Sequence, residues 1–92
     1  MRPIQQAIPG ALVEILRGAP LSQGKVGFAW RAAVGSAVEK VTSVRLEGRV
    51  LLVDAASIAW AREVTRSSPV ILRRLQTLLG QDVLTSICVR EP

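Results

Sequence analysis

Arg49-Val50-Leu51-Leu52-Val53-Asp54 holds four consecutive apolar residues, two of them β-branched. Such a run reads as a strand buried on both faces or nearly so. Ahead of it stands Val44-Arg45-Leu46, which alternates apolar and polar. Glu47-Gly48-Arg49 lies between, a short Gly-containing turn of the kind that closes hairpins. After it, Ser57-Ile58-Ala59-Trp60-Ala61-Arg62-Glu63-Val64 switches to helical spacing. A hairpin whose second strand feeds a helix is therefore the centre, and the flanking segments must cover it.

Upstream, Ala11–Arg17 reads as a two-turn helix with Leu12, Ile15 and Leu16 on one face; Gly18 and Pro20 stop it. Ser22 is placed to cap a second helix over Gln23–Lys40. Its apolar positions (Val26, Ala29, Trp30, Ala33, Val34, Ala37, Val38 and Val41) form one helical stripe, and Gly35 is a possible break within it. The hairpin spans Thr42–Leu46 and Arg49–Asp54. Downstream, a third helix is expected from Ser57 to about Thr65. Ser67-Ser68-Pro69 then interrupts, with Pro69 suited to a first helical position and Ser68 to its cap. A fourth helix runs to Leu79, turning Leu72, Leu75, Leu78 and Leu79 inward, and Gly80 ends it. The last strand covers Val83–Val89, with Val83, Ile87 and Val89 on one face and Leu84 and Cys88 on the other. The order is ααββααβ. A helical crossover favours a parallel last strand. The expectation is one α+β domain over residues 1–92: a three-stranded mixed sheet, helices mainly on one face, and a loosely ordered segment at 1–9.

The chain has 92 residues, 49% hydrophobic and 21% charged, with a formal charge of +5. That length allows one domain. The charge is uneven: residues 61–80 hold four arginines against Glu63 alone, and residues 41–60 are neutral. Two basic regions around a neutral hairpin suit an anionic partner, nucleic acid first; solubility is the plainer use of the same charge. Histidine is absent and Cys88 is the single cysteine, so zinc spacing is impossible and no internal disulfide can form. Cys88 reads as a small buried hydrophobe, consistent with a cytoplasmic protein. The few acids show no spacing typical of an acid/base couple, and no Gly-rich phosphate loop occurs. Neither catalysis nor a metal, cofactor or membrane is expected.

The basic set offers the candidate site. Arg62 and Arg66 are four apart on the third helix, Arg73 and Arg74 sit in the first turns of the fourth, and Ser67-Ser68 lies between at a helix N-terminus. Free backbone N–H groups there, beside guanidinium groups, would hold phosphate. The plainer reading is a capped helix with solvated arginines. Trp30 and Trp60 could stack bases, but both fall on or beside apolar stripes and read as core.

Four stretches together resemble the DciA family. Trp30-Arg31-Ala32-Ala33-Val34-Gly35 is similar to its W-x-x-V-V-G motif. Thr42–Val53 is similar to its T-x-P-x-x-L-x-D-G-x-L-x-V hairpin, with Val44, or Ser43 in a register one residue away, where proline is usual. Ser57–Val64 resembles S-x-x-W-A-x-E-L. Leu72–Gly80 resembles L-x-R-L-N-x-x-L-G, with Gln76 in place of asparagine. The resemblance implies a non-enzymatic accessory of bacterial DNA replication, an operator or loader of the DnaB-type replicative helicase, that also binds DNA weakly and without sequence specificity. It implies a type II KH-like domain. Members often carry a basic tail; this sequence ends at Pro92, and tail-dependent contacts are not expected of it. A KH domain clamps nucleic acid with G-x-x-G between paired helices. Thr65-Arg66-Ser67-Ser68-Pro69 has no glycine, so that clamp is not expected. The alternative is a general single-stranded nucleic-acid or RNA-binding KH-like module.

Overall fold

Helical spacing before and after the hairpin produces four helices around three strands. The computed structural model describes residues 9–92, so the expected loose segment at 1–9 lies almost wholly outside the described residues. In chain order the elements are α1 (Gly10–Gly18), α2 (Gln23–Val34), α3 (Ser36–Glu39), β1 (Thr42–Glu47), β2 (Val50–Ala55), α4 (Ile58–Leu79) and β3 (Ser86–Arg90). The class is α+β, with a sheet of order β1-β2-β3 in which β1 is antiparallel and β3 parallel to β2.

The hairpin closes with Glu47 opposite Val50, leaving Gly48 and Arg49 as a two-residue turn. Gly48 has φ +59°, the sign that a two-residue hairpin of this kind requires at its first turn position. Alternation then sorts the sheet. Val44, Leu46, Leu51, Val53, Ile87 and Val89 face the helices, and Leu51 and Val53 are fully buried there. The expectation that β2 is buried on both faces needs correction. Leu52 lies on the uncovered face, half-buried between its register neighbours Arg45 and Cys88.

The second helix breaks where its glycine stands. Gly35 has φ 87° and ψ 167°, a region essentially reserved for glycine, and it separates α2 from α3. Trp30, 1% exposed, is held in the core by a relay. Its indole N–H donates to Thr42 Oγ1 at 2.9 Å, and that hydroxyl donates to the Val38 carbonyl at 2.8 Å. Base stacking by Trp30 is thereby removed. Trp60 is half-buried and packs against the same core. The expected cap at Ser22 is present, its Oγ accepting from Lys25 N–H; Ser57, expected as the first residue of the next helix, instead caps it, its Oγ accepting from Trp60 N–H.

The crossover corrects the reading of Ser67-Ser68-Pro69. α4 is one helix of 22 residues with Pro69 inside it, and Ser68 caps nothing. Proline has no N–H for the carbonyl four residues back, here Thr65. Ser68 Oγ donates to that carbonyl at 2.9 Å and fills the gap. Continuity also places Ala61, Val64, Ile71, Leu75 and Leu78 along one buried face. No turn exists at the place a KH clamp would occupy.

Two further corrections concern the C-terminal strand and α1. β3 begins at Ser86, so Leu84 lies in the preceding turn, fully buried, and does not share a strand face with Cys88. Cys88 is exposed on the open side of the sheet, because Ile87 and Val89 take the helix-facing places opposite Leu51 and Val53. In α1 only Leu16 is buried, and Ile15 is 69% exposed.

Candidate nucleic-acid interface

A continuous α4 redistributes the candidate residues. At about 100° per residue, Arg66 and Arg73 fall within about 40° of Arg62 around the helix. These three exposed arginines form one stripe about 16 Å long at 1.5 Å per residue. Ser67 and Ser68 turn away from it and are half-buried. The expected phosphate cradle at a helix N-terminus is absent, because the amides of 67 and 68 lie in mid-helix. Arg74 also leaves the set. It is half-buried, and its Nη1 donates to the Ala33 carbonyl at 3.0 Å, in the last turn of α2. The side chain thus satisfies one of the carbonyls a helix end leaves without an intrahelical partner.

Arg17, outside the sequence-based set, joins the stripe. α1 packs on the C-terminal half of α4, and Arg17 Nε donates to the Thr77 carbonyl at 2.9 Å. A shallow hollow of about 250 Å3 is lined there by Arg17, Arg73, Gln76, Thr77 and Gln81. A second hollow of about 340 Å3, between α4 and β3, is edged by Arg62 and Arg66, with Glu91 on the opposite rim. Nothing local in the sequence connects residue 17 with residue 73; only the packing of α1 does.

The charges on the open sheet face neutralise one another. Arg45 lies 2.8 Å from Glu47, and Arg90 grips Asp54 through two bonds of 2.7 and 2.8 Å. The hydrogen bonds from Arg90 hold the Asp54 carboxyl below its ordinary range, and the same pairing raises the Arg90 guanidinium. On the stripe, by contrast, the one ion pair among the described residues is Arg66–Glu63 at 3.3 Å, with the Arg66 side chain 76% exposed. An exposed pair of that length competes weakly with a phosphate. A row of available basic side chains therefore lies on α4, whereas the arginines on the open sheet face are paired.

The residues that carry the motifs have mostly structural work. Trp30 meets Thr42, Gly35 breaks the helix, and Gln76 Nε2 donates to the Leu84 carbonyl at 3.1 Å, holding the turn into β3. Val44, which stands in the place of proline, accepts from Gln23 Nε2 at 2.8 Å on the free edge of β1. Its N–H points to the same edge, where a proline removes no ladder bond.

The model of the family described as Dna[CI] antecedent, DciA, matches residues 3–89. The chain is also 31% identical over 75 residues to a UPF0232 protein of Mycolicibacterium smegmatis, an alignment covering 80% of this chain and 39% of that protein. It thus spans well under half the length of that relative. No solved structure matches it. Matched over nearly its whole length, and with the motif residues bonded to one another across its elements, this chain belongs to the DciA family.

Proposed function

We propose that this domain is a non-enzymatic accessory of bacterial DNA replication that binds the DnaB-type replicative helicase and holds DNA weakly, without sequence preference. The family match over residues 3–89 carries the helicase part. Support for the DNA part comes from the exposed row of Arg62, Arg66 and Arg73 with Arg17 at its end. A row of guanidinium groups along one helix suits a phosphate backbone, and contacts to phosphate carry no sequence information. Ser67 and Ser68, half-buried in mid-helix, and Arg74, bonded to the Ala33 carbonyl, are not part of this surface. The alternative, a general single-stranded nucleic-acid or RNA-binding KH-like module, gains no support from the unbroken helix at the place of a clamp loop. The test is direct association of the purified domain with its cognate helicase, measured by light scattering or surface plasmon resonance at low salt. A saturable interaction is expected. No interaction, with both proteins folded, defeats the helicase assignment.

A further inference from the structure

α1 and α2 both pack on α4 and scarcely touch each other, so a cleft runs between them. Leu12, Ile15, Leu16, Ala19, Pro20 and Phe28 line a hollow of about 620 Å3 there, with almost wholly apolar walls. Past Phe28 the cleft continues into a second hollow of about 350 Å3, bordered by Ala32, Gly35 and Arg31. Ile15 is 69% exposed, and Phe28 and the loop residue Leu21 are each 54% exposed. Two of these large apolar side chains, Ile15 and Phe28, line one apolar cleft and mark an interaction surface rather than scattered surface residues.

Charge and backbone chemistry narrow the occupant. Among the described residues, Lys25 and Arg31 are the charged residues lining the two hollows, and no carboxylate lines either. The walls are α1, α2 and the loop between them; the helices bond their own N–H and C=O groups, the Ala19 N–H and carbonyl are already bonded to Leu16 and Lys25, and Pro20 has no N–H, so an extended segment would find few ladder partners there. A helix arrives with its own backbone satisfied. Two-fold pairing of the cleft with a second copy would bring both copies' Lys25 and Arg31 together. A nucleobase on Phe28 would leave the aliphatic depth of the cleft unfilled. We propose that the cleft receives an amphipathic helix of a partner protein, its apolar stripe bordered by acidic side chains. Resting on the reading above, the partner is the replicative helicase, and this cleft is where it docks.

The experiment measures helicase affinity, DNA affinity, sedimentation and the unfolding midpoint. It compares the wild type with Ile15→Ser/Phe28→Ser, with Arg31→Glu, and with Arg62→Glu/Arg66→Glu. The first two variants change exposed side chains and should keep the wild-type midpoint. Ile15→Ser/Phe28→Ser should lose helicase affinity by roughly tenfold or more, as loss of central apolar anchors does. Arg31→Glu should lose several-fold, and both variants should keep DNA affinity. The α4 variant should show the reverse pattern. A wild type that does not bind helicase ends the helicase reading and this proposal together. A wild type that binds, with cleft variants binding equally well, ends this proposal alone. Cleft variants that lose DNA affinity but keep helicase would make the cleft a nucleic-acid platform. A wild-type dimer that the cleft variants dissociate would make it a self-interface. Either of the last two results overturns the proposal.

Discussion

Trp30 anchors the small core at the scale of one residue. Its ring is 1% exposed, and its N–H is spoken for by Thr42. Trp30→Ala removes the largest buried side chain and also leaves Thr42 Oγ1 without its donor. The expected loss is about 3–5 kcal/mol, read from denaturant unfolding. A loss below about 1 kcal/mol is what a surface position gives and would contradict the burial. Asp54 makes a different, pH-dependent contribution. Arg90 bonds to its carboxylate and lowers its folded-state pKa, so the pair's stabilisation is present above the unfolded value of about 3.9. It is lost as pH falls through the depressed folded value. Asp54→Asn should therefore be less stable than the wild type at neutral pH, and the two unfolding curves should converge as pH falls below about 4. A gap that stays constant down to the acid limb would show that Asp54 stabilises by packing and not by charge.

Continuity of α4 is the decisive feature at the scale of an element. A proline inside a helix costs about 3 kcal/mol relative to alanine. Ser68 reduces the cost by supplying the missing donor to Thr65. Burial supplies the rest: Ile71, Leu75 and Leu78 are fully buried, each worth about 1.5–3 kcal/mol. Their places on the same face as Ala61 and Val64 require the helical phase to carry through residue 69. Pro69→Ala then restores a backbone donor in mid-helix and should raise stability by about 1–3 kcal/mol, measured as a higher unfolding midpoint. Were Pro69 the first residue of a separate helix, the same change would be neutral or destabilising, because its N–H would have no intrahelical partner. The sign of the effect separates the two arrangements.

Charge distribution belongs to the whole molecule. The sheet face is self-paired, and Arg62, Arg66 and Arg73 with Arg17 form a row of exposed guanidinium groups along α4 and the adjoining end of α1. Arg62, Arg66 and Arg73 are expected to bind DNA by displacing counterions, so log affinity should fall linearly with log salt. Replacing each arginine should reduce that slope by about one, equally for unrelated sequences. Arg74→Ala should behave differently. It frees the Ala33 carbonyl at the end of α2, so it should lower the unfolding midpoint while leaving the salt slope almost unchanged. Equal slopes for the wild type and an Arg62/Arg66/Arg73 triple alanine variant would remove α4 from the DNA-binding surface.

Neighbouring residues alone determined the hairpin, the cap at Ser22, the helix start at Ser57, the break at Gly35 and the inward stripe containing Trp30. Each follows from a φ preference, a side-chain acceptor or a period within a few residues. The crossover was legible as helical and the last strand as parallel, because chain handedness and length constrain both. Tertiary packing decided the rest. Pro69 is a local stop signal overruled by burial on both sides of it. Cys88 followed the register imposed by Leu51 and Val53 rather than its own apolar character. Arg74 looked like a surface cation until α2 ended against it. Arg17 and Arg73 are 56 residues apart in number, and the α1–α4 contact alone brings them to one hollow. Candidate sites are hardest to read from sequence for this reason. Caps and apolar stripes act over about one helical turn, whereas a binding surface is assembled from side chains that meet only after the core has set where each element lies.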